Sequence, residues 1–254
     1  MAVTARTALV TGGARRIGRA IVEDLARHGF AVAIHCNRSR DEAEALAARL
    51  RDSGARIAVV QADLTDAVET RQLVGKAVQA VGPIDLLVNN ASIFEEDSVE
   101  TFDPAISDRH FTIHVNAPSL LTRHFAEALP EGMEGLVVNM IDQRVQRLTP
   151  RYFSYALSKS ALWTATRTMA QALAPRIRVN AIGPGPTLAN TRQSPADFDA
   201  QVNGLILRRG PELAEFGAAI RYLAQARSVT GQMIALDGGQ HLAWQTPDVT
   251  GMVE

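Results

Sequence analysis

Apolar runs of strand length alternate with segments of helical period along this chain, and that alternation restricts the fold more than any other property of the sequence. The runs cover residues 7–12, 31–36, 56–63, 85–91, 135–140, 177–185 and 233–239, and helical periodicity falls at about 17–29, 39–53, 66–81, 104–129, 153–174 and 212–225. Such apolar runs with helices between them mark strands buried on both faces, the condition of a parallel sheet made of βαβ crossovers. The sequence therefore predicts an α/β fold, a doubly wound parallel sheet of seven strands with helices on both faces. One such sheet absorbs the full length, so residues 1–254 are read as a single domain. Residues 186–211 include Pro186, Pro195, Gly204 and Gly210, lack periodicity and are long for a connection, which makes them the expected substrate loop.

With 46% hydrophobic and 21% charged residues there is material for a large core and no compositional sign of disorder. A net charge of −1 speaks against a surface built for nucleic acid or anionic membrane. The chain opens directly into strand-like sequence and no apolar run reaches membrane-spanning length, so a cytoplasmic protein without a leader is expected. Cys36 is the single cysteine, which excludes an intrachain disulfide, and no His/Asp/Glu cluster has metal-ligand spacing, so no metal is expected.

The first run continues into Thr11-Gly12-Gly13-Ala14-Arg15-Arg16-Ile17-Gly18, where the first helical segment starts. Glycines at this junction permit a tight turn and close backbone approach to a pyrophosphate, which the free N–H groups and dipole of a helix N-terminus attract. Strand, glycines and helix stand in the order of a dinucleotide-binding unit, which makes the expected sheet Rossmann-type; a plain turn is the alternative.

Further marks follow in order: Asn89-Asn90-Ala91 after the fourth run, Asn116 within 104–129, Tyr155 and Lys159 four residues apart, and Pro184-Gly185 after the sixth run. On a helix Tyr155 and Lys159 share one face, where the lysine charge is expected to stabilise a phenolate and lower its pKa from about 10. With these marks the chain resembles the short-chain dehydrogenase/reductase family over almost its whole length, except that Arg16 replaces the middle glycine of that family's turn. The resemblance implies that Lys159 also holds a nicotinamide ribose and that Asn116 supports a proton-relay water. It further implies cofactor contacts from Gly12, Arg15, Arg16, Ile17, Gly18, Leu64, Asn90, Ala91, Ser92, Tyr155, Lys159, Pro184, Gly185 and Thr187.

Asp142 stands thirteen residues before Tyr155, where the family usually has a serine that donates to a substrate carbonyl. An ionised carboxylate cannot donate and repels an oxyanion, but it suits an amidine-like nitrogen heterocycle. Together with Arg16 this resembles the pteridine reductase branch, whose catalytic set is Asp, Tyr and Lys; the alternative is that Asp142 only caps the loop after the fifth strand. In that branch an aromatic at the Phe94 position stacks on a flat bicyclic substrate, with Arg16, Ser92, Asp142 and Tyr155 also facing it, although an aromatic at a loop start is otherwise core.

The stretch His35-Cys36-Asn37-Arg38-Ser39 after the second strand contains no acid to accept from ribose hydroxyls and offers Arg38 and Ser39 to a 2′-phosphate, so NADP(H) is the expected cofactor. It resembles the H-x-x-R-S segment of pteridine reductases, Arg38 as a solvated charge being the alternative. Asp63 is expected beside the adenine or as a turn cap. Arg144, Arg147 and Arg151 read as solvated loop charges rather than binders of an acidic substrate tail. His114 reads as a satisfied helix histidine, and the tail 240–254, with Trp244 and Pro247, as packing on another subunit of a family-type homotetramer.

The sequence thus points to an NADPH-dependent reductase of a pterin-like or dihydrofolate-like substrate, with Tyr155 as proton donor and Asp142, Lys159 and Asn116 beside it. The rival readings are a carbonyl or 3-oxoacyl reductase in which Asp142 has replaced serine, and a catalytically idle NADPH-binding sensor or scaffold.

Overall fold

Seven strands follow the predicted runs in the computed structural model, which describes residues 6–189, 193–246 and 250. They are β1 (Thr7–Val10), β2 (Ala31–Cys36), β3 (Ile57–Gln61), β4 (Leu86–Asn89), β5 (Gly135–Met140), β6 (Ile177–Pro184) and β7 (Met233–Leu236). All pairs are parallel, in the order β3-β2-β1-β4-β5-β6-β7. Every residue of β1, β2, β4 and β5 is buried, as expected for strands covered on both faces.

Successive side chains enter opposite cores. Ala8 and Val10 pack with α1 (Arg16–Arg27), α2 (Arg40–Asp52) and α8 (Leu213–Gln225), while Leu9 packs with α3 (Ala67–Val81), α5 (Ala117–Ala128) and α6 (Phe153–Leu173). Strand order reverses at β1, which pairs Val10 with Ile34 of β2 on one side and with Val88 of β4 on the other. The connections leaving β1 and β4 run to opposite faces, so a crevice opens at the carboxyl ends of these strands.

Two stretches depart from the periodic reading. Residues 104–129 are not one helix: α4 (Pro104–Phe111), capped by Asp103, runs into a π-helical turn (Thr112–Asn116) before α5. The wider turn rotates the helix face, a change that a 3.6-residue period does not reveal. The expected substrate loop contains α7 (Pro195–Asn203), whose first turn is capped by Ser194 Oγ accepting the Asp197 N–H at 3.1 Å. None of its residues is buried, so no apolar stripe marks it in the sequence. Residues 190–192 of that loop and Pro247 of the tail lie outside the described residues, and Trp244 is exposed. No helix among the described residues is long and apolar enough to cross a membrane.

Candidate active site

The glycine turn is shaped by what lies against it. Gly12 has φ +62°, a left-handed conformation that favours glycine, and a Cβ there would lie 3.1 Å from Ala91 Cα. A Cβ on Gly18 would stand 2.2 Å from Gly12 O and 2.5 Å from Asn90 Nδ2, so this turn closes only without a side chain. Asn90 Nδ2 donates to Thr11 O at 2.8 Å and to Gly12 O at 3.1 Å, which ties the loop after β4 to the loop after β1. Beneath the turn, buried His35 accepts the Gly12 N–H at Nδ1 (3.1 Å), so its Nε2 donates to Ala62 O (3.0 Å). Burial pushes the His35 pKa down to about 4, which keeps the ring neutral in that tautomer. His35 therefore supports the turn from below rather than lining the cleft.

Arg15, Arg16, Ile17 and Gly18 line a cavity of about 1130 Å³, and Arg15 makes no side-chain cap at the start of α1. First-turn N–H groups without intrahelical partners are thus presented at the cavity wall. Arg16 takes φ +51° where the family has glycine, and its guanidinium crosses to Leu188 O and Ala189 O, 3.1 Å each. Arg15 is ion-paired with Glu42. Pro184, Gly185, Pro186 and Thr187 close the opposite wall, where a Cβ on Gly185 would lie 2.6 Å from Asp237 Cα.

Deeper in the same cavity, Tyr155 Oη donates to Asp142 Oδ2 at 2.9 Å. Asp142 Oδ2 also receives Arg144 Nη1 at 3.3 Å, and Oδ1 accepts the Arg144 N–H at 2.8 Å. Asp142 therefore caps the short turn after β5, as the local alternative expected, and simultaneously faces the tyrosine. Lys159 Nζ donates to Met140 O at 2.9 Å and lies 5.6 Å from the Tyr155 ring centre. The expected lowering of the Tyr155 pKa is not found: burial first, and then the Asp142 carboxylate, push it well above the usual phenol value. Burial also drives Lys159 down, to about 8, against the pull of Asp142.

Aromatic groups enclose the phenol. Phe94 meets Tyr155 edge-on (centroids 4.7 Å, 85°) and stacks on Tyr152 (4.3 Å, 22°). Arg144 lies 5.6 Å from the Phe94 ring centre and 5.4 Å from that of Tyr152, so it is a half-buried member of the cavity wall and not a solvated loop charge. Arg151 pairs with Glu96 at the rim, and Arg147 donates to Gln240 O at 3.2 Å. His110 and His114, carried by α4 and the π-helical turn, also abut the Tyr155 ring edge-on. Asn116 ends that turn exposed and outside the cavity wall, because the residue that the turn rotates inward is His114.

The residues expected to read the adenosine half follow β2 and β3 and lie outside the large cavity's wall. Asn37 and Arg38 are exposed, Ser39 precedes α2, and Leu64 is buried. Asp63 caps its turn, accepting the Thr65 N–H (2.9 Å) and hydroxyl (2.7 Å), which holds its carboxyl below the usual range. Among the described residues no group of three or more His, Cys, Asp or Glu is arranged to hold a metal ion.

The family model described as short chain dehydrogenase matches residues 6–199. The chain belongs to the short-chain dehydrogenase family. Among solved structures it is similar to FolM alternative dihydrofolate reductase 1 from Brucella canis complexed with NADP. That pair shares 64% identity over 96% of this chain and 97% of the other, at a TM-score of 0.94. The Brucella suis protein in complex with NADP is 63% identical over 98% and 100% of the chains, at 0.95. Among curated relatives, an uncharacterized oxidoreductase of Methylorubrum extorquens is 32% identical over 92% of this chain and 97% of its own length. The 3-oxoacyl-[acyl-carrier-protein] reductase FabG of Staphylococcus epidermidis is 27% identical over 93% and 99%.

In this short-chain dehydrogenase, sequence reasoning missed Tyr152, Arg144 and His114 as parts of the site. Tyr152 has φ +60° ahead of α6, a conformation that nothing in its neighbours announces. Arg144 was visible as a charge two residues after Asp142, within reach of a carboxylate that needs a donor.

Proposed function

We propose that this oxidoreductase uses NADPH to reduce a pterin-like or dihydrofolate-like heterocycle, with Tyr155 as the proton donor. The observation that carries the reading is the 2.9 Å bond from Tyr155 Oη to Asp142 Oδ2, which stands where a carbonyl reductase needs a donor. The glycine cradle at Gly12 and Gly18, closed to any Cβ, fits a dinucleotide pyrophosphate. The acid-free stretch 37–39 with Arg38 suits a 2′-phosphate, and the similar FolM structures contain NADP. When bound, NADPH supplies a hydride.

The residues of the chain do the rest. Burial and Asp142 keep Tyr155 protonated, with its one hydrogen on Asp142 Oδ2; delivery to the ring nitrogen beside the carbon that is reduced requires the hydroxyl to turn from Asp142 to the substrate and leaves a phenolate. Asp142, with Arg144 against it, directs that proton and accepts from substrate N–H groups. Lys159 brings positive charge to the buried site where the phenolate develops. Phe94, with Tyr152 behind it, offers an aromatic wall to a flat ring. Asn116 is exposed and does not line the cavity, so its expected relay role gains no support from this arrangement.

A carbonyl or 3-oxoacyl reductase is the second reading, favoured by the FabG relatives at 27% identity. Asp142→Ser separates the two: it is expected to impair pterin reduction while leaving or improving ketone reduction, and Asp142→Asn is expected to impair pterin turnover as well. Indifference of pterin turnover to Asp142→Ser would overturn the assignment. The reading takes the chain as a single domain, supported by its one continuous sheet. A cytoplasmic homotetramer is part of the same proposal; light scattering on the purified protein tests the assembly and cell fractionation the location.

A further inference from the structure

The hydroxyl of Ser92 lies on the cavity wall with its proton already committed elsewhere. Ser158 Oγ has one hydrogen and donates it to Tyr155 O at 2.8 Å, so the 2.8 Å contact between Ser158 Oγ and His114 Nδ1 is made by an imidazole N–H. His114 Nε2 is then an acceptor, and it receives the Ile93 N–H at 3.3 Å. Ser92 Oγ, 2.9 Å from the same nitrogen, is left to donate. The other acceptor in reach of Ser92, Ile93 O at 3.2 Å, also draws the proton into the protein. His114 is 1% exposed and stacked on His110, and burial together with the Lys159 charge pushes its pKa far down, so the ring has no second proton to offer.

We infer that His114 is a positioning residue that fixes Ser92 as a hydrogen-bond acceptor toward the cavity, so that a substrate must rest an amino or N–H donor there and not a carbonyl oxygen. The inference rests on the pterin reading and names the polarity that the site demands. A rotating hydroxyl serves either partner, whereas one whose proton is held inward shows only lone pairs. Asp142, acceptor-only when ionised, presents the same sign from the loop after β5. Two acceptors on neighbouring loops favour an amino-substituted ring and set lone pair against lone pair for an oxo-substituted one.

Two measurements test this. The first is nitrogen-15 spectroscopy of histidine-labelled protein, with His114 identified by its loss in His114→Gln; a neutral ring with the proton on Nδ1 is expected throughout the neutral pH range. The second is calorimetric binding of a diaminopteridine and a dioxopteridine to the NADP-loaded protein, where the wild type is expected to prefer the diamino ligand by at least about tenfold. Ser92→Ala should bring that ratio toward unity. His114→Phe, which leaves Ser92 only the longer contact to Ile93 O to hold its proton inward, should bring that ratio toward unity as well. His114→Gln, whose amide can donate to Ser158 and accept from Ser92, should restore the preference.

An Nε2–H tautomer or an imidazolium overturns the inference, as does Ser92→Ala weakening both ligands equally. If His114→Phe does not fold, the tautomer and the Ser92→Ala ratio decide. Absence of pterin turnover with the diamino preference intact overturns the reductase reading and upholds this one.

Discussion

Tyr155 and Asp142 share one hydrogen bond of 2.9 Å, and the carboxylate side of that bond keeps the phenol an acid. A serine at the Asp142 position would donate to a carbonyl; the carboxylate instead accepts a hydrogen bond from the tyrosine, which keeps its proton. The arrangement suits proton delivery to nitrogen better than to a ketone oxygen.

Tyr155→Phe keeps the ring against Phe94, His110 and His114 and removes only the hydroxyl. Turnover is expected to fall on the order of 100-fold or more. NADPH affinity by fluorescence titration and the melting temperature should stay near wild type. Retained turnover would move the acid to another group.

Lys159 is buried with its pKa lowered from 10.5 to about 8. Between those values the unfolded chain binds the proton that the native protein has lost, so stability rises with pH through that window. The cost of the buried ammonium is fully present below about pH 8. Lys159→Met is expected to stabilise the cofactor-free protein at neutral pH by about 1–3 kcal/mol while abolishing turnover. Urea unfolding of both proteins checks it: the advantage should shrink as the pH rises, and a pH-independent gap would contradict it. In the wild type, kcat/KM for reduction is expected to fall as pH rises through about 8, because the lysine charge is lost while Tyr155 is still protonated.

The sheet was legible because two-sided burial makes each strand an unbroken apolar run and because helical periods separate the runs. The glycine turn, Asp142, Tyr155 and Lys159 were legible because their spacing along the chain fixes their place on it. The raised Tyr155 pKa was not, since desolvation depends on Phe94, His110 and His114 converging from distant segments. The exposure of Asn116 was not legible either: the π-helical turn buries His114 against Tyr155 and leaves Asn116 exposed, which a 3.6-residue period does not reveal. Arg144 read as a loop charge because the aromatic pair it covers, Phe94 and Tyr152, forms only in the folded chain.

Arg38 stands exposed beyond β2, where its charge acts on Asp63. Arg38→Asp is expected to reverse a preference for NADPH over NADH, since a charge-assisted phosphate contact of about 1.5–3 kcal/mol becomes a repulsion. That corresponds to roughly 10- to 100-fold in Kd. Fluorescence titration of both cofactors measures it, and equal wild-type affinities would contradict the cofactor assignment.

On the proposed reading NADPH supplies the hydride, and Tyr155 beside the acceptor carboxylate of Asp142 supplies the proton, for reduction of a nitrogen heterocycle. The direct measurement is NADPH oxidation by the wild-type protein, followed in parallel with a dihydropterin, a dihydrofolate and a panel of simple ketones and 3-oxoacyl thioesters. Turnover is expected with at least one reduced pterin or folate, at a kcat/KM above that of every ketone. Reduction of ketones or 3-oxoacyl thioesters with no turnover of any pterin or folate would contradict it.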